Sequence, residues 1–201
     1  FRAARCGRVW DRTGVIDVLT RGEGLMLRTW RDGDLAAMTA LLTDEESRRW
    51  NPPLGEFTPE RIAQRLAAAV SSAAEDDPTT FVIAADDDPD EALGSIDFRR
   101  DHPIPPFSVV DVGYGVLPQA RGQGLAAAAL RLLSAWVLSP DGMDLHRVQL
   151  DHAVENVASC RTAERAGFRR EGVRPCFLPL QESPTAPVVL HDTCLHGLVR
   201  R

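Results

Sequence analysis

The sequence predicts a single domain of mixed α/β class, and three observations carry that prediction. A Thr-Pro-Glu start signal at residues 58–60 opens a long amphipathic helix. Two apolar strands around an acidic turn make an antiparallel hairpin at residues 80–98, and an apolar strand running into glycines at residues 109–124 leads into a second long helix. The 201 residues suffice for one domain with a sizeable core and fall short of two comfortable ones. A composition of 44% hydrophobic and 26% charged residues excludes wholesale disorder and fibrous architectures. No apolar run reaches the roughly 20 residues of a membrane span, and the opening FRAARCGRVWDRTG lacks the apolar centre of a signal peptide. Acidic residues outnumber basic ones 29 to 23, for a net charge of −6, which disfavours nucleic acid and favours cationic partners. Every basic residue counted is Arg, which reads as coding bias. Cys6, Cys160, Cys176 and Cys194 form neither a C-x-x-C pair nor a dense framework, so free thiols in a reducing cytoplasm are expected.

In chain order, residues 1–23 carry no amphipathic period and read as a loosely ordered N-terminal extension, with the domain proper at 24–201. Gly24–Trp30 alternates as a first strand, and Asp32 or Asp34 caps a helix bearing Leu35, Met38, Leu41 and Leu42. The Thr58 helix runs through Ile62, Leu66, Ala69 and Val70 to about Ala74. Thr80–Ala84 and Ala92–Phe98 are the hairpin strands, and the acidic turn 86–91 between them reads as a solvated tip because nothing there fixes a ligand shell. The Pro-rich piece His102–Pro106 is a loop. Val109–Val116 is a strand, Leu125–Leu138 a helix with Leu125, Ala128, Ala129, Leu132 and Trp136 on one stripe, and Arg147–Leu150 another strand. A short helix follows Asn156 and stops at Gly167, suited to the left-handed C′ position, with Phe168 folding back. Arg169–Phe177 and Val188–Leu198 are the last strands.

The strand–glycine–helix unit holds the chemistry. A glycine turn opening a helix bares several N–H groups at the positive end of the helix dipole, a place for phosphate. Taken alone, Gly122-Gln123-Gly124 also fits a ligand-free tight turn. A dinucleotide fingerprint would place a third Gly at residue 127, which is Ala, and a P-loop needs Lys, which the chain lacks.

Gln119-Ala120-Arg121-Gly122-Gln123-Gly124 resembles the acetyl-CoA signature of the GNAT N-acetyltransferase family, in particular its ribosomal-protein N-terminal (RimJ/RimL-like) branch. Leu25-x-Leu27-Arg28-x-Trp30 with Asp34-Leu35, Asp111-Val112-Gly113-Tyr114, Asn156-x-x-Ser159, Gly167-Phe168 and Glu171-Gly172 add to the likeness, which spans residue 24 to the C-terminus. The resemblance implies a twisted, mostly antiparallel mixed sheet of six or seven strands, helices on both faces, and a splayed central pair of parallel strands. It also implies an acetyl-CoA-dependent enzyme acting on a primary amine, with no metal. A catalytically silent acyl-CoA-binding or protein-interaction module is the alternative, and a homodimer is left open.

The resemblance further implies that the amides of Arg121, Gly122, Gln123, Gly124 and Leu125 hold the diphosphate, following Gln119. The strand edge at Val116 would bind pantetheine and Asn156 would bind a pantetheine amide. Many relatives carry a Tyr where this chain has Ala163. Tyr114, the sole tyrosine, lies on a different strand, so Ser159 is left as the group beside sulfur that protonates the leaving thiolate, unless it merely caps the helix. Asp111 is the first candidate for the base and is equally readable as a polar strand residue; Asp97, His152, Glu155 and a water chain are reserves. Ala126–Ala129 replaces a Glu frequent in this branch, which leaves the acceptor unread. The loops at 48–57, 103–107 and 181–187 would decide it. His191-x-x-Cys194-x-His196 does not read as a metal site, because positions 191 and 194 of a strand face opposite sides. Cys160 reads as a buried thiol.

Overall fold

The computed structural model describes residues 9–10, 16–53, 55–75, 77–100, 109–183 and 185–200. Nine strands form one sheet in the order β1-β2-β3-β4-β5-β6-β7-β9-β8, two or three more than the sequence suggested. They are β1 (Val9–Trp10), β2 (Ile16–Gly22), β3 (Leu25–Arg28), β4 (Thr80–Ala85), β5 (Ala92–Arg100), β6 (Val110–Val116), β7 (Arg147–Ala153), β8 (Arg169–Leu180) and β9 (Val189–Val199). Every neighbouring pair is antiparallel except β6–β7. Part of the surplus comes from the segment read as a loose extension. Ile16–Gly22 pairs with β3 and buries Val18 and Leu19, an anchoring that four apolar residues in twelve did not announce. Cys6 and the loops at 102–106 and 103–107 lie outside the described residues.

Helices cover both faces. α4 (Leu125–Leu138) and α5 (Val157–Arg165) pack with Phe81, Ile83, Ile96, Phe98, Val110 and Val112 on one side. On the other side, α1 (Leu35–Thr43) and α3 (Pro59–Ala74) bury Met38, Leu41, Ile62 and Leu66 against Met26, Val82 and Ala84. The α3 start signal works as its residue types dictate. Thr58 Oγ1 accepts from Arg61 N at 3.4 Å and Pro59 fills the first turn, where no N–H is needed. The end of α5 closes in a Schellman motif. Gly167 sits at φ 90°, its N–H donates to Glu164 O at 3.0 Å, and Phe168 N–H donates to Ala163 O at 3.0 Å.

Two local outcomes differ from the sequence reading. α2 (Glu45–Arg49), capped by Asp44 accepting from Ser47 N, is too short to leave a periodic trace. Asp34 does not cap α1 with its side chain; instead its carboxylate takes both terminal nitrogens of Arg28, at 2.7 and 2.8 Å. Arg28 is 0% exposed and also donates from Nε to Pro89 O at 2.7 Å. The acidic turn is the solvated tip expected, and it is also tied down: Arg21 holds Asp86, Arg31 holds Asp90, and Arg28 holds the main chain at Pro89. No described helix is long and apolar enough to cross a membrane.

Candidate active site

The β6–β7 pair creates the opening. The two strands pair only at Val110↔Val148 and Asp111↔Gln149, while β6 continues against β5 to Val116 and β7 continues against β9 to Ala153. Past residue 111, β6 therefore presents one unpaired edge to a slot between parallel strands. Asp111 lies at its closed end, where Oδ1 accepts from Gln149 Nε2 at 3.0 Å across the pair. That placement makes it a tie between strands, not a group facing the open part of the slot.

The floor of β6 depends on close approach. A Cβ on Gly94 would lie 2.4 Å from Gly115 O, so only glycine lets β5 run this near Val116. Val116 O accepts from Arg121 Nε at 3.1 Å, and the same guanidinium bonds Asp44 at the start of α2. Although partial burial works against it, Arg121 together with Ser47 holds the Asp44 carboxyl below its ordinary range. Arg121 is thus a strut from the slot's edge to the next element. Its own N–H is spent on Pro118 O at 3.3 Å, which removes it from the row of amides expected to face phosphate.

That row begins at Gly122. Gly122 and Gly124 have φ 77° and 80°, a region costly for residues with a Cβ, and they turn the main chain into α4. Gly124 stands at the N-cap with no side-chain cap, so the first-turn amides, Leu125 included, point outward with the helix dipole behind them. A Cβ at either glycine would meet nothing within 4 Å. The approach to these amides is open, and the space and donors suit a diphosphate. Gln119 and Gln123 are exposed beside the turn, linked by Gln123 Nε2 to Gln119 O at 3.5 Å.

On the opposite wall, Asn156 caps α5 by accepting from Ser159 N at 3.0 Å. Ser159 is therefore not the cap, and its hydroxyl is otherwise employed: Oγ lies 2.8 Å from Tyr114 OH. Tyr114 shares the β6 face of Val110 and Val112, which turns it toward α5 and away from Asp111. The sequence places Tyr114 on another strand, on the face opposite Asp111, and parity alone does not show that this face meets α5. Burial pushes its phenol above the ordinary value, partly offset by the Ser159 hydrogen bond, so the hydroxyl keeps its proton at neutral pH.

On the other face of β6, residues 113 and 115 are glycines; a Cβ at Gly115 would touch Leu41 Cδ2 at 3.6 Å, whereas the position of Gly113 is left to a neighbouring carboxylate. Asp97 of β5 faces this gap: its carboxylate oxygen stands 3.0 Å from where a Gly113 Cβ would be. Burial raises its pKa, with Arg99 and Arg65 pulling weakly the other way. Of the reserves, Asp97 alone has this placement. Glu155 pairs with His191 on the surface at 3.4 Å, and His152 is buried against His196. Nearby, a cleft of about 540 Å³ is lined by Asp44, Glu45, Glu46, Arg49 and Glu182, four carboxylates against one guanidinium.

Comparisons with known proteins identify the domain family and the fold. Residues 24–169 match the acetyltransferase (GNAT) domain family. No curated protein sequence matches the chain. Solved structures with the same fold include ribosomal-protein-S5-alanine acetyltransferase from Vibrio fischeri, with 21% identity, a TM-score of 0.70, and coverage of 89% of this chain and 94% of that one. RimJ of Mycobacterium smegmatis in complex with CoA-disulfide has 22% identity and a TM-score of 0.68, covering 87% and 81%. Spermidine N-acetyltransferase from Vibrio cholerae, with CoA and spermine, has 18% identity and a TM-score of 0.68, covering 89% and 96%.

Proposed function

The chain belongs to the GNAT acetyltransferase family, and on that footing we propose that it moves the acetyl group of acetyl-CoA to the primary amine of a cationic acceptor. The acceptor is a protein N-terminus or a small polyamine-like molecule, and transfer is direct within a ternary complex. The observation that carries this reading is the alignment of one slot with two chemistries, bare amides at the α4 turn and the Tyr114–Ser159 hydroxyl pair on the facing wall.

In this reading Gly122, Gln123, Gly124 and Leu125 hold the diphosphate through their main chain. The β6 edge near Val116 aligns pantetheine, and the Asn156 side chain meets it from the α5 wall. The amine enters beside Gly113, where Asp97 accepts its proton so that the nitrogen lone pair is free to attack the thioester carbon. The C–S bond breaks, and Ser159, backed by Tyr114, supplies the proton that the departing sulfur takes. Asp97 replaces Asp111 as the proposed base because a carboxylate of raised pKa beside Gly113 can hold and release a proton, whereas Asp111 is engaged at the closed end. The acidic cleft beside Asp44 supports a cationic acceptor.

The test is release of free thiol from acetyl-CoA across a panel of peptides with free N-termini, polyamines and amino sugars, with Gly122→Asp as the blocked form. Turnover with cationic amines and none in Gly122→Asp supports the proposal. Binding of acetyl-CoA without turnover on any amine would replace it with the silent acyl-CoA-binding module.

A further inference from the structure

Away from the slot, four donor side chains from three elements meet behind the first turn of α5. One ligand atom each from His152 (β7), Cys160 (α5), Cys194 and His196 (β9) lies within 4.8 Å of the others. We propose that these residues form a structural site for a zinc-class divalent cation. Cys194 and His196 are two apart on β9 and so share a face, while His152 stands opposite Cys194 on β7. The sequence spacing concealed the group because half of its donors sit 34 to 44 residues earlier in the chain.

The donor geometry fits a tetrahedral ion. Metal–sulfur bonds of about 2.3 Å and metal–nitrogen bonds of about 2.1 Å hold S and N about 3.6 Å apart across a tetrahedral angle. His196 Nε2 lies 3.4 Å from Cys194 Sγ and 3.6 Å from Cys160 Sγ. His152 Nδ1 is 2.8 Å from Ala153 O; as the N–H, it fixes the tautomer that leaves Nε2 with a free lone pair. That Nε2 is buried without a hydrogen-bond partner in a side chain 6% exposed, and His196 Nδ1 is likewise unpartnered. Thiol–imidazole hydrogen bonds account for the Cys–His contacts but leave His152 Nε2 orphaned, a loss that a buried acceptor avoids by ligation. Two thiolates neutralise a dication, so the filled site carries no net charge into the interior.

With four protein ligands and no open position, the ion would bind no substrate. It would instead clamp α5 to β7 and β9 directly behind Ser159. The site therefore stands or falls independently of the acetyl-transfer proposal.

The test uses the reduced full chain, stripped with a chelator and titrated with Co²⁺ alone. One equivalent of Co²⁺ should develop the intense visible bands and thiolate charge-transfer absorption of a tetrahedral cobalt–thiolate centre, and Zn²⁺ should displace it. Cys160→Ser, on the half-exposed helix face, should lose roughly half of the charge-transfer intensity while far-UV dichroism stays native. Zn²⁺ should raise the melting temperature of the wild type and raise that of Cys160→Ser less. A folded wild type that shows only the weak bands of octahedral cobalt, or a Cys160→Ser spectrum equal to wild type, would overturn the site.

Discussion

At the scale of single residues, the proposed mechanism gives two proton carriers opposite duties. Tyr114 and Ser159 share a hydrogen bond at 2.8 Å and act as one unit, so their losses should not add. Tyr114→Phe and Ser159→Ala should each lower kcat by roughly 10²-fold or more, and the double variant little further, in a steady-state double-mutant cycle. Full additivity would separate their roles. Asp97 has a raised pKa, so it stays protonated to a higher pH than a free carboxyl, and activity that needs its ionised form should fall on the acid side of a limb above 3.8. Asp97→Asn should erase that limb and cost roughly 10²–10⁴-fold in kcat/KM. The stability sign is opposite. Below the free carboxyl's pKa both states are protonated and nothing is lost; as pH rises through the raised folded value, ionising the buried group costs stability in full. At neutral pH Asp97→Asn should therefore melt above wild type, which a thermal scan checks against the same comparison at pH 3.

At the scale of elements, the Arg28–Asp34 pair shows what the short pattern at the head of the fold does structurally. β3 places Arg28 in the interior, where its guanidinium must be surrounded by acceptors, and Asp34, Thr29 O and Pro89 O surround it. The pair thereby fastens β3, the start of α1 and the β4–β5 turn to one another. Asp34→Ala leaves a buried cation uncompensated and should cost about 3–5 kcal/mol in denaturant unfolding. Arg28→Lys should not preserve the joint, because an ammonium cannot form the paired bonds. The elements most legible in the sequence were those with a local chemical reason: Thr58-Pro59 opening α3, Gly167-Phe168 closing α5, and the apolar runs of β4, β5 and β6. β2 was missed because Ile16–Gly22 carries no clean alternation, although its partner β3 follows directly after Glu23 and Gly24; α2 was missed because it is a single short helix whose place is set by the distant Arg121 reaching Asp44.

At the scale of the whole molecule, the sheet brings residues 38 to 77 positions apart into contact around one slot, and this is where the sequence stopped short. The glycine turn was readable because its backbone conformation is what Gly122 and Gly124 announce. The pairing of Tyr114 with Ser159, and the exchange of Asp111 for Asp97, required knowing where β6 leaves β7. The four-residue His/Cys group was invisible for the same reason. Charge is the other property of the whole. The cleft at Glu45, Glu46 and Glu182 should draw in cationic amines, so replacing these three with Gln should raise KM for such acceptors several-fold at low salt, with little change in KM for acetyl-CoA.

The most direct measurement is a crystal structure of the chain with CoA. The diphosphate should lie within hydrogen-bond distance of the amides between Gly122 and Leu125, and the sulfur in the slot beside the Tyr114 and Ser159 hydroxyls. A diphosphate bound elsewhere with the α4 turn left bare, or a sulfur on the far side of β6 from Ser159, would contradict the proposal.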